Sequence, residues 1–102
     1  MDKNRAFEIV KDYLRFLREN QYEIQKAYIF GSYAKGNFDE DSDIDLAIVL
    51  ENISNTFTTQ VQLMKLSRKF DSRIEPHPLE KENFNSSNPF AHEILSTGIE
   101  VV

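Results

Sequence analysis

Apolar residues recur at helical spacing near the start of the chain. Ala6, Ile9, Val10, Tyr13, Leu14 and Leu17 share one face over residues 4–19, which predicts an amphipathic helix with a stop at Asn20. The pattern then changes. AYIF, residues 27–30, is a short apolar run ended by Gly31 and reads as a buried strand. IDLAIVL, residues 44–50, is apolar on both faces beyond Asp45, as a central strand covered on both sides would be. Residues 56–70 return to helical spacing, with Phe57, Val61, Leu63, Met64, Leu66 and Phe70 in a broad stripe and Asn55 or Thr56 as the cap. A weaker strand covers residues 72–77, and Pro76 and Pro78 put it at or near a sheet edge, because proline lacks the backbone donor. Asn88 before Pro89 marks a helix start, and that helix runs to Ser96. Gly98 ends it, and IEVV, residues 99–102, forms a last strand. The fold class predicted is α/β, a small mixed sheet with helices packed on it.

The bulk properties narrow the function. The chain of 102 residues suits one domain, residues 1–102, and not two. A formal charge of -5 and the lack of a Lys/Arg run argue against direct nucleic-acid binding, which needs a basic face. The absence of cysteine excludes a disulfide scaffold and a thiolate metal site. The opening MDKNRAFEIVKDYL carries charges throughout, unlike a signal peptide, and no apolar run approaches the roughly 20 residues of a membrane span. These features predict a cytoplasmic protein that does not engage the membrane.

The chemistry concentrates in GSYAKGNFDEDSDID, residues 31–45, where five carboxylates crowd the last seven positions. Asp43 and Asp45 alternate at a strand start and so point to one face, with Cα atoms about 6.5–7 Å apart. Two carboxylates so placed can share one cation, or hold a pair of ions about 3.5–4 Å apart. Hard oxygen ligands suit magnesium or manganese. Gly31 and Ser32 sit at a strand end, and Tyr33 to Lys35 can begin a short helix. A turn of this kind presents backbone N–H groups to an anion, and the serine hydroxyl adds a donor. Lys35 is a further candidate phosphate contact. An acid pair beside an anion cradle fits a nucleoside triphosphate with its metal. Asp39, Glu40 and Asp41 read as a solvated loop. An EF-hand loop starting at Asp39 fails, because it needs Gly at the sixth position and Glu at the twelfth, where Ile44 and Leu50 stand. His77 and His92 have no partner at metal-ligand spacing and read as surface residues.

The order of these residues resembles the nucleotidyltransferase superfamily that includes DNA polymerase beta. The shared pattern is an apolar strand, Gly31-Ser32, a ten-residue spacer and Asp43-Ile44-Asp45, with Gly36 and Ser42 also where that family often has Gly and Ser. The length and the closing HEILSTGIEVV point to its minimal branch, the MNT proteins, so the resemblance spans nearly the whole chain. It implies the polymerase beta-like palm fold. It also implies a third carboxylate on a neighbouring strand, and the candidate is Glu75, with Asp71 as the fallback. Asp43, Asp45 and Glu75 would hold two magnesium ions against ATP, Gly31 and Ser32 would bind the outer phosphates, and Glu75 would be a metal ligand or the base. The acceptor oxygen would attack the α-phosphorus and pyrophosphate would leave.

The minimal branch is typically paired with a small helical HEPN-type protein. In such pairs the nucleotidyltransferase acts as antitoxin by moving AMP onto a tyrosine of the toxin. The resemblance therefore implies an acceptor site supplied by such a partner or by a second subunit of a homo-oligomer. Two other readings stand beside this one: nucleotidylation of a small hydroxylated molecule, and neutralisation of a partner by contact alone.

Overall fold

The computed structural model describes residues 2–39 and 41–102. Glu40, one of the loop acids, lies outside the described residues. Helix α1, Lys3–Glu19, starts where the Asp2 carboxylate accepts the Arg5 N–H at 2.8 Å. It buries Ala6, Val10, Tyr13, Leu14 and Leu17, the face that the periodicity marks. Asn20 caps its end, and Gln21 turns the chain through a left-handed conformation with φ 71°. Strand β1, Ile24–Phe30, is longer than the apolar run indicates. Its first half carries the exposed Gln25 and Lys26, and its ladder is irregular between Ile24 and Lys26. The one-turn helix α2, Ser32–Lys35, follows, closed by Gly36 in the left-handed region.

Strand β2, Ile44–Leu50, matches its expected bounds. Helix α3, Thr56–Ser67, is capped by Asn55 and stops three residues before the expected end. Its stripe is shallower than expected: Leu63 is buried, whereas Phe57 is 76% exposed. Strand β3, Ile74–Glu80, starts and ends later than expected and contains both prolines. Helix α4, Pro89–Thr97, has Asn88 accepting the N–H groups of Phe90 and Ala91. The last strand, β4, Ile99–Glu100, has two residues where four were expected, although Val101 still donates to Ala27 O at 2.8 Å.

The sheet order is β3-β2-β1-β4. β2 pairs antiparallel with β1 and parallel with β3, and β4 joins β1 antiparallel. The mixed sheet thus has β2 inside and the proline-bearing β3 at an edge. Alternation sorts the side chains onto two faces. Ile44, Leu46, Ile48 and Leu50 of β2 join Ala27, Ile29 and Ile74 in the larger core beneath α1 and α3. Tyr28 and Ala47 face the opposite way, where Ile94 of α4 covers them. The Asp45 end of that second face is where the acids gather.

One polar contact ties two helices together, and a second fixes the connection that follows α3. The buried Tyr13 hydroxyl donates to Leu63 O at 2.8 Å, joining α1 to α3. Burial pushes the Tyr13 hydroxyl well above its ordinary pKa, with a smaller contribution from Tyr22. Beyond α3, Arg73 donates from Nε and Nη2 to the two Asp71 oxygens at 3.0 and 2.9 Å, a two-pronged ion pair. Those hydrogen bonds hold the Asp71 carboxyl below its ordinary range against the opposing effect of burial. Asp71, the fallback third acid, is thereby committed to Arg73.

Tyr13→Phe removes the donor, and its expected cost is about 1 kcal/mol in urea unfolding at neutral pH. The raised folded-state value adds a pH effect. Its contribution is full below the unfolded tyrosine value of about 10 and is lost as pH rises through the higher folded value. Stability should therefore fall on the alkaline side of about pH 10, and Tyr13→Phe should flatten that fall.

Candidate active site

The parallel ladder places Asp45 directly opposite Glu75, and the antiparallel ladder places Phe30 on the other side of Asp45. The row Phe30, Asp45, Glu75 therefore crosses three strands on one face. One step along, His77 is in register with Ala47. The small Ala47 side chain leaves room beside it, and the His77 Nε2 lies 3.4 Å from Asp45 Oδ1 and 4.0 Å from Glu75 Oε1. One donor atom from each of Asp45, Glu75 and His77 falls within 4.8 Å of the others.

His77 thus corrects the expectation of a surface residue. Its side chain is only 25% exposed, and its ring meets Phe30 edge-on at 5.2 Å and Phe90 at 6.0 Å between centroids. The signal in the sequence was Glu75-x-His77 on a strand, a spacing that puts both side chains on one face. The partner across the sheet was not visible, because it comes from β2. His92 is exposed, as expected.

Gly31 and Ser32 stand at the end of β1, beside Asp45. Gly31 adopts φ 71° and ψ -146°, a conformation that side chains resist. A Cβ there would collide with Asp45 Oδ2 and lie 3.2 Å from its Cγ. The glycine is needed twice, for its backbone and for its proximity to the carboxylate. The adjoining turn is anchored by Tyr33, which is fully buried and stacks on Phe38 at 4.2 Å. Lys35 is exposed and makes a loose 3.8 Å pair with Glu93.

Asp43 is exposed, one residue ahead of β2, and does not join the cluster of Asp45, Glu75 and His77. Asp39 and Asp41 are also exposed. Asp39 organises its own loop, accepting the Asp41 N–H at 2.8 Å while its N–H donates to Ser42 Oγ at 2.9 Å. The donor set at the cluster suits a divalent cation. Two carboxylates supply charge, and the Asp45 oxygen meets no side chain from Gly31. Nε2 of His77 is shielded from solvent and makes no hydrogen bond among the described residues.

A family model described as polymerase beta, nucleotidyltransferase, matches residues 11–102. The chain belongs to this nucleotidyltransferase family. A protein of Methanocaldococcus jannaschii, provisionally named a protein adenylyltransferase, is 31% identical over 98 residues, 92% of each chain. The protein adenylyltransferase MntA of Shewanella oneidensis is 31% identical over 62 residues, which span 61% of this chain and 45% of MntA. Among solved structures, a toxin-antitoxin with AMP-PNP is similar in fold at a TM-score of 0.66 and 22% identity, over 100% of this chain and 73% of that one. A MntA-HepT toxin-antitoxin gives 0.61 at 20% identity, over 90% and 68%. The fold of this nucleotidyltransferase is therefore the polymerase beta-like one. Among the described residues no helix is long and apolar enough to cross a membrane.

Gly31→Ala tests the close approach. Backbone strain alone should cost roughly 1–3 kcal/mol in thermal or urea unfolding. The displaced Asp45 should also weaken divalent-ion binding by the folded variant. Unchanged stability would refute the packing of Gly31 on Asp45.

Proposed function

We propose that residues 1–102 act as one minimal adenylyltransferase domain. It moves AMP from ATP to a tyrosine hydroxyl of a small helical HEPN-type toxin and so serves as the antitoxin. The observation that carries the reading is Asp45 facing Glu75 across the parallel ladder, hard against the Gly31 turn. The M. jannaschii relative supports protein adenylylation, and the MntA-HepT assembly supports a toxin partner.

In this reading Asp43, Asp45 and Glu75 hold two magnesium ions. Asp43, exposed at the mouth of β2, is free to turn toward them. When bound, the ions neutralise charge on the entering and leaving oxygens. Gly31 lets the backbone approach the outer phosphates, and the Ser32 hydroxyl donates to them. Lys35 is available to the same phosphates, since a half-exposed pair such as that with Glu93 is worth little. Glu75, 43% exposed, is open enough to take the proton from the acceptor hydroxyl. The acceptor oxygen bonds to the α-phosphorus, the bond to the β-phosphate oxygen breaks, and pyrophosphate departs.

The test uses ATP radiolabelled in its α-phosphate, with the protein and a HEPN-type partner. Label should enter the partner, resist digestion by RNase and map to tyrosine. Asp45→Asn should cut incorporation about a hundredfold or more, as expected when several kcal/mol of charge stabilisation is lost. If Asp45→Asn still neutralises the toxin fully, contact alone accounts for the antitoxin effect. Label that enters only small hydroxylated molecules would point to a small acceptor instead.

A further inference from the structure

We propose that His77 is itself a metal ligand, completing a site with Asp45 and Glu75 that prefers a first-row transition ion over magnesium. The inference rests on the metal-dependent reading above and adds a ligand and a selectivity to it.

The geometry is favourable. An octahedral ion with bonds of about 2.1 Å holds neighbouring donors about 3 Å apart and opposite donors about 4.2 Å apart. Nε2 lies 3.4 Å from one carboxylate oxygen and 4.0 Å from the other, so small side-chain movements bring all three onto one ion. A histidine that only filled space would have no reason to aim Nε2 between two acids. One that served only as a hydrogen-bonding partner of Asp45 would be aligned to it. The 3.4 Å approach is not aligned, because Nε2 makes no hydrogen bond among the described residues and is closed to solvent. Nε2 thus has two carboxylate oxygens close by but no aligned hydrogen bond, and a metal ion between them would satisfy all three atoms.

The ring is also held in place. Phe30 and Phe90 flank it, and Phe30 meets Phe90 edge-on at 5.5 Å. A ligand fixed by its packing loses little freedom on binding. The donor chemistry then sets the preference. Magnesium takes oxygen ligands and keeps several waters, whereas imidazole suits transition ions. Manganese is a stringent probe, because it shares magnesium's preference for carboxylates, accepts an imidazole nitrogen more readily than magnesium does and reports by electron paramagnetic resonance.

The experiment loads manganese into the full chain carrying histidine labelled with heavy nitrogen, with and without AMP-PNP. Electron spin echo spectroscopy then reads nitrogen coupling from histidine alone, since AMP-PNP carries no label. Magnesium competes in a parallel titration. Coupling is expected in the wild type and in His92→Gln, and is lost in His77→Phe and His77→Gln. Two variants separate loss of the ligand from a folding defect, which circular dichroism reports. Manganese affinity should fall roughly tenfold or more in both. Magnesium affinity should change less than about twofold.

Manganese bound without nitrogen coupling would overturn the assignment, as would coupling that survives in both His77 variants. Equal affinity of the wild type for the two ions would overturn the selectivity. AMP transfer that needs a divalent ion, together with an absent coupling, rejects His77 and leaves the transferase reading standing. No metal uptake in either state rejects both.

Discussion

The register of β2 between its two neighbours is the constraint on which the site depends. Every second residue of this strand is committed to the larger core: Ile44, Leu46, Ile48 and Leu50 are all buried. A slip of one residue would move that row to the face under α4 and send Asp45 into the larger apolar core. Hydrophobic burial thus positions a carboxylate that contributes nothing to the core. The same register sets Asp45 beside Glu75 on one flank and Phe30 on the other. The acids are forced together by apolar residues facing the opposite way.

Glycine completes the arrangement. The chain leaves β1 through Gly31, whose missing side chain allows the backbone to lie against Asp45. Tyr33 then pins the turn to the core from below. The polar mouth of the site therefore has an apolar anchor within two residues of its tightest point. The nucleotidyltransferase turn is thus fastened to the same core that buries one face of β2.

Much of this was legible in the sequence. The bounds of β2 and the start of α4 could be read because apolar pattern and punctuation agree there. That Gly31-Ser32 ends one strand and Asp45 opens the next was also legible, but the antiparallel pairing that sets Gly31 against Asp45 was not. The first half of β1 was not, because Gln25 and Lys26 are exposed near the sheet margin and mimic a loop. α3 looked more deeply buried than it is, since a stripe of apolar residues does not say how much sheet lies beneath it. β3 was obscured by its two prolines, whose allowed positions depend on which side faces the neighbouring strand. His77 was hidden for a different reason. Its partners are 32 and 2 residues away in the chain, and only the parallel ladder brings the distant one close.

The prolines of β3 have a consequence for how another protein can reach the acids. In a parallel pair alternate residues direct their backbone groups to opposite sides. The Pro76 carbonyl accepts from the Gln60 side chain at 3.2 Å, so its backbone faces away from β2, and Pro78 shares that orientation. The outer rim of the sheet therefore lacks two of the donors that an incoming strand would need. Sheet extension across the strand that carries Glu75 and His77 is thereby disfavoured. The open approach to Asp45, Glu75 and His77 is therefore over the face of the sheet, between the Gly31 turn and Phe90.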